Sequence, residues 1–149
     1  AGAGAVPVDP HPLAAAAMKA PRGFSLLELL IALVVAGLLA SLAYPSYLNH
    51  VRKAQRVEVS ALLMENAQRL ERLYASGGRY DQGAVTGLHG QSPVRGRAVY
   101  RLAVQRQAQT FVLTAVAEAG GIMAGDVCAS YSLNQAGQRT PADALCWRR

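Results

Sequence analysis

At 149 residues the chain has room for one domain of ordinary size, and it carries a formal net charge of +6. Hydrophobic residues make up 52% and charged residues 16%, with the apolar excess concentrated in residues 24–43 and in Ala-rich stretches. The basic residues are scattered rather than gathered in a long run, which speaks for solubility or subunit packing over an extended nucleic-acid or lipid-binding tract.

Residues 1–17 are Ala, Gly and Pro with Asp9 and His11; they carry no periodicity and are expected to be disordered. Met18-Lys19 reads as a natural start followed by a leader ending at Gly23, which makes the upstream stretch an over-extended reading frame. Residues 24–43 contain only Glu28, Ser25 and Ser41 as polar members. At about 1.5 Å per residue they form a helix about 30 Å long, enough to cross a bilayer core. An ionised carboxylate in such a helix is unfavourable by roughly 2.5–3.5 kcal/mol, which makes Glu28 a candidate functional residue. Two plainer readings compete. One is a secretory signal with Lys19 and Arg22 as its basic region, residues 29–39 as its apolar region and Ser41-Leu42-Ala43 as its cleavage site. The other is a simple single-span anchor. Both leave Glu28 and the Gly23-Phe24 junction unexplained.

Tyr44-Pro45-Ser46-Tyr47 marks the exit from lipid, with two aromatics suited to an interface. Pro45 is expected to bend or loosen the helix, because it lacks an N–H and crowds the preceding turn. Helical pattern then resumes: Val59, Leu62, Leu63, Asn66, Leu70, Leu73 and Tyr74 repeat near 3.6 and form one stripe, with Glu65 and Arg69 paired at i,i+4 on the other side. Ser76-Gly77-Gly78 ends the helix. Residues 79–97 read as a Gly-spaced connector. Residues 99–104 and 110–116 read as two strands, residues 130–133 as a third, and Asn134-Gln135-Ala136-Gly137 turns back toward 138–140. The fold class expected is α+β: a long N-terminal helix, apolar in its first half and amphipathic in its second, packed on an antiparallel sheet of three to four strands. The expected segments are 1–23 as extension and leader, 24–47 as membrane and assembly helix, and 48–149 as a soluble head.

Cys128 and Cys146 form an even pair beyond the apolar segment. That reads as a disulfide in an oxidising compartment, the alternative being two unrelated buried thiols. Closing that loop is worth about 3 kcal/mol. Catalytic patterns are missing: there is no nucleophile elbow, P-loop or dinucleotide fingerprint. His11, His50 and His89 are dispersed, so no zinc site is expected. Asp126 alone is a turn residue sooner than a calcium ligand. Neither an enzyme nor a cofactor is expected.

The segment Lys19-Ala20-Pro21-Arg22-Gly23, then Phe24-Ser25-Leu26-Leu27-Glu28, resembles the N-terminus of a type IV prepilin. The resemblance extends to Phe111-Val112-Leu113-Thr114-Ala115, Gly125-Asp126-Val127-Cys128, Leu133-Asn134-Gln135-Ala136-Gly137 and Cys146-Trp147, which are similar to the C-terminal half of minor pilins. It implies that a prepilin peptidase cuts between Gly23 and Phe24 and N-methylates Phe24. It further implies that Glu28 pairs with the α-amine of a neighbouring subunit, that the helix loosens between Gly37 and Pro45, and that Cys128 and Cys146 bridge a C-terminal loop. Without residues 1–23 the charge becomes +5, from 13 Lys and Arg less 8 Asp and Glu. The implied partners are other pilin subunits, the peptidase, an inner-membrane assembly platform, and the bilayer before assembly. The implied location is the inner membrane, then the extracellular filament. Two alternatives stay open. One is a pseudopilin of a type II secretion machine. The other is a surface subunit binding DNA through Arg95, Arg97, Arg101 and Arg106, against which those arginines read more simply as a solvated edge or a subunit contact.

Overall fold

The computed structural model describes residues 23–148 together with Gly2 and Gly4. The expectations of disorder over 1–17 and of a leader over 18–22 otherwise fall outside the described residues. The chain divides into two compact units between Leu39 and Ala40.

Helix α1 runs over Leu26–Gly77, 52 residues. It starts where Ser25 turns its hydroxyl onto the Leu27 amide at 3.2 Å, while the Ser25 carbonyl accepts from Leu29 at 3.1 Å. A serine in that position satisfies donors that have no partner inside the helix. The helix continues through Pro45 as α-helix, where the sequence suggested loosening. Proline removes one donor from the ladder, and the turns on either side carry the helix across the gap. The end is set by Gly78 at φ +68°, whose amide donates to the Tyr74 carbonyl at 2.7 Å. That left-handed cap suits glycine because any Cβ is strained there.

In the unit from Ala40 onward, one face of α1 is buried: Val59, Leu62, Leu63, Asn66 and Leu70. These are the centre of the stripe expected from the sequence; Leu73 and Tyr74 at its end are half-buried. The stripe packs on a five-stranded antiparallel sheet in the order β1-β2-β3-β4-β5. The strands are β1 (Gln91–Ser92), β2 (Tyr100–Arg106), β3 (Phe111–Ala117), β4 (Ser130–Asn134) and β5 (Arg139–Thr140). Tyr100 pairs with Ala117 and Arg106 with Phe111, so β2 and β3 form a full-length hairpin. Alternate residues point inward, as a two-residue period requires: Tyr100 and Leu102, Phe111, Leu113 and Ala115, Tyr131 and Leu133. Tyr131 stands edge-on to Tyr100 at 5.8 Å and to Trp147 at 5.1 Å, filling the space between sheet and C-terminus.

The sheet exceeds the expected three to four strands by β1, which lies inside the segment read as a connector. Two observations explain how that segment is held. Asn66, 2% exposed, donates to the His89 carbonyl at 2.9 Å and accepts from the His89 amide at 2.8 Å. The Gly90 carbonyl then accepts from Leu102 at 2.9 Å. A buried amide side chain thus stands in for a neighbouring strand, and the stretch joins the sheet through backbone bonds without β-forming residues of its own.

Cys128 and Cys146 are bridged, with Cα atoms 5.6 Å apart and both residues buried. Cys146 lies on a short helix α2 (Ala144–Trp147), in a stretch expected to be loop. Asp143 caps it by accepting from Leu145 at 2.8 Å, and the Trp147 indole donates to Pro141 at 2.7 Å. Cys146→Ser is expected to lower the melting temperature of the detergent-solubilised chain by about 10 °C or more, from a loss of about 3 kcal/mol. An unchanged melting curve, or two thiols titrating without reductant, would show that the bridge carries no stability.

Candidate functional site

Two regions hold candidate functional side chains, one in each unit. In the first, Phe24, Ser25 and Glu28 open the helix. Phe24 is 75% exposed, and Glu28 sits in the first turn, where the partial positive charge of the helix N-terminus favours a carboxylate. From Phe24 to Leu42, twelve large hydrophobic side chains are exposed. Gly37 lies among them with no neighbour within 4 Å of where a Cβ would stand. Among the described residues, one helix is long and apolar enough to cross a membrane, and its most apolar stretch is fully exposed.

In the second unit, the loop of residues 118–129 is fastened to α1 by charge. Arg56 grips Asp126 with two bonds, Nε to Oδ1 at 3.0 Å and Nη2 to Oδ2 at 2.5 Å. Their side chains are 16% and 5% exposed. Oδ1 also accepts from the Cys128 amide at 2.9 Å, and the Arg52 guanidinium donates to the Ile122 carbonyl at 3.4 Å. Burial pushes the Asp126 carboxyl up, but Arg56 and the Cys128 amide outweigh it and hold the carboxyl below its ordinary range. Both carboxylate oxygens are therefore committed to protein donors. The disulfide is locked in turn by two tyrosines: Tyr100 donates to the Cys128 carbonyl at 2.8 Å and Tyr131 to the Cys146 carbonyl at 3.1 Å. Burial raises both hydroxyls, Tyr131 to about 12.

The four arginines singled out in the sequence do not form one patch. Arg101 pairs with Glu118, and Arg106 turns to the other side of β2 to donate to the Tyr80 carbonyl at 3.0 Å. Arg95 and Arg97 remain exposed in the loop of residues 93–98, with no ion pair among the described residues. That loop is closed by Gln91, which donates to the carbonyls of Pro93 and Gly96 at 3.1 and 3.0 Å. The Arg56–Asp126 pair escaped the sequence reading because its partners lie 70 positions apart. The available clues were an arginine flanking the apolar stripe and an aspartate two residues before a cysteine.

An exposed apolar helix joined to a disulfide-closed head with an antiparallel sheet is the organisation of a type IV pilin. The fold is similar to the solved structure of a type IV pilin from Shewanella oneidensis, with a TM-score of 0.50 and 25% identity over 65% of this chain and 98% of that one. Residues 18–44 match the prokaryotic N-terminal methylation motif. Residues 45–132, 88 of the 149, match the family described as type IV minor pilin ComP, DNA uptake sequence receptor, and the chain belongs to that family. Curated relatives include a type IV major alpha-pilin of Moraxella bovis, 41% identical over 46 residues, which are 31% of this chain and 29% of that protein. Fimbrial protein EcpB of Eikenella corrodens is 38% identical over 61 residues, 41% of this chain and 38% of that protein. The chain thus spans well under half the length of these curated relatives.

The depressed Asp126 carboxyl fixes the sign of a pH effect. Its stabilisation is present above the unfolded carboxyl value near about 3.9 and is lost as pH falls through the lower folded value. Asp126→Asn leaves Arg56 unpaired and is expected to destabilise the head by about 3 kcal/mol at neutral pH. Denaturant melts across acidic pH check this: wild type should converge toward the variant below about pH 4. Parallel curves at every pH would remove Asp126 from the account.

Proposed function

We propose that the chain is a structural subunit of a type IV pilus, held in the inner membrane by its apolar helix and transferred from there into the filament. The observation that carries this reading is the set of twelve large apolar side chains left exposed on residues 24–42. Covering each is worth about 1.5–3 kcal/mol, a total on the order of 20 kcal/mol, which exceeds the stability of an ordinary domain. Such a surface does not stay in water. Lipid covers it first and neighbouring helices afterwards, an exchange with little hydrophobic cost. Prepilin peptidase cuts between Gly23 and Phe24 and methylates Phe24. Glu28 then meets the α-amine of a neighbouring subunit, which neutralises a charge unfavourable in an apolar surround. The helix loosens between Gly37 and Pro45 as the subunits crowd together. An assembly platform in the membrane drives the transfer. The role is structural and involves no catalysis.

Filaments sheared from cells with a prepilin peptidase should contain the chain beginning at N-methyl-Phe24. Glu28→Ala should still enter membranes but be depleted from filaments at least tenfold. A mature start at Tyr44 would establish a secretory signal, and wild-type incorporation of the variant would remove Glu28 from assembly.

A second reading, that the subunit binds DNA, is supported by the family match over residues 45–132 and by the free Arg95 and Arg97. Each phosphate contact adds about 0.9 to the salt slope of log K. The Arg95→Ala/Arg97→Ala variant should therefore weaken DNA binding and flatten the slope by about 2. An unaltered slope would place the contact elsewhere.

A further inference from the structure

Within the unit from Ala40 onward, hydrogen bonds fix which end of the head lies toward Tyr47, at the start of that unit's helix. The loop of residues 118–129 is bound to α1 at Arg52 and Arg56. The Glu118 amide donates to the Val99 carbonyl at 2.8 Å, and Arg97 lines one cleft with Gly120, Gly121 and Ile122. The loop of residues 93–98 therefore stands at the same end. The opposite end of the sheet is tied to the far end of α1, where Tyr74 bonds Gln109 at 2.6 Å and Gln109 bonds the Gly78 carbonyl at 3.2 Å. At 1.5 Å per residue, Arg52 lies about 8 Å and Arg56 about 14 Å along the helix from Tyr47, where the sequence leaves lipid. Those heights fall within the reach of an arginine side chain plus one screening length of about 8 Å.

The side chains at this end are amphipathic. Val94 is 48% and Val127 70% exposed, one in each loop. Arg95 and Arg97 are exposed in the same loop as Val94, and Lys53 is exposed on α1 between Arg52 and Arg56. The carboxylates of Asp126 and Glu118 are already paired with Arg56 and Arg101. Glu58, without an ion pair among the described residues, stands about 16 Å above Tyr47, farther from the membrane than Lys53.

We propose that this end of the head is a docking surface for an anionic bilayer. Arg95, Arg97 and Lys53 meet lipid phosphates, while Val94 and Val127 enter the headgroup layer beside the Tyr44 and Tyr47 rings. The occupant follows from the exit from lipid at Tyr44 and Tyr47, which belong to the same unit as these loops, and from the unpaired positive charge there. The proposal rests on the anchored reading given above. It adds a consequence for the DNA reading: the same two arginines are covered by lipid while the subunit is stored, and come free when it is extracted.

Hydrogen exchange on the full chain tests this in nanodiscs of phosphatidylcholine and of phosphatidylcholine mixed with phosphatidylglycerol, without DNA. The anionic disc should slow exchange in residues 94–97 and 122–127 by about fivefold for each cation engaged, leaving the turn at 107–110 unaffected. Arg95→Ala/Arg97→Ala should remove most of that slowing while the sheet amides keep their protection. Equal exchange in the two discs would overturn the docking and leave the anchor standing, as would equal slowing at both ends of the head. Failure of the chain to enter either disc would overturn the anchored reading and the docking with it.

Discussion

The bidentate contact between Arg56 and Asp126 governs more of the head than any other single interaction. It is the point where the helix, the loop of residues 118–129 and the disulfide meet, because Asp126 also accepts from the amide of Cys128. The apolar stripe of α1 would hold the sheet by itself, but an apolar face is indifferent to small slides along its length. A planar guanidinium gripping a carboxylate is not indifferent. It sets the height of the loop on the helix, and through Cys128 it sets the start of β4. The cost of drawing two charges out of water is offset because both carboxylate oxygens and three arginine and backbone donors are used.

A second constraint acts on α1, which must suit two media with one hydrogen-bond pattern. The first half is apolar on every side, and its surroundings decide nothing about its rotation. The second half is apolar on one side only, and rotation there is fixed by Val59, Leu63 and Leu70. The stretch that opens the transition, Tyr44-Pro45-Ser46-Tyr47, belongs to neither regime.

Much of this was legible in the sequence because it is periodic or local. The stripe on α1, the β2–β3 hairpin, the glycine cap and the Glu65–Arg69 pair at 2.7 Å all follow from spacings of two to four residues. What was hidden has no local signature. β1 consists of Gln and Ser between Gly90 and Pro93 and is a strand only because Tyr100 and Arg101 supply its partners. α2 is too short to show a period. The supposed arginine cluster could have been divided in advance: Arg101 and Arg106 are five residues apart on one strand, an odd number, so they face opposite sides. The loops of residues 93–98 and 118–129 are likewise adjacent only in space.

The sheet ends on both sides in strands of two residues, β1 and β5, with β2, β3 and β4 enclosed between them. For a subunit that polymerises, as proposed for this chain, open sheet edges are a particular hazard. Any long open strand edge would offer a second route of growth, strand to strand, competing with the intended one. Here each edge presents too few unpaired backbone groups to template a neighbour, and Pro93 and Pro141 stand just past them without a donor to offer. In the filament proposed above, growth would thereby stay with the helix, and the heads would crowd around a fibre without fusing into amyloid.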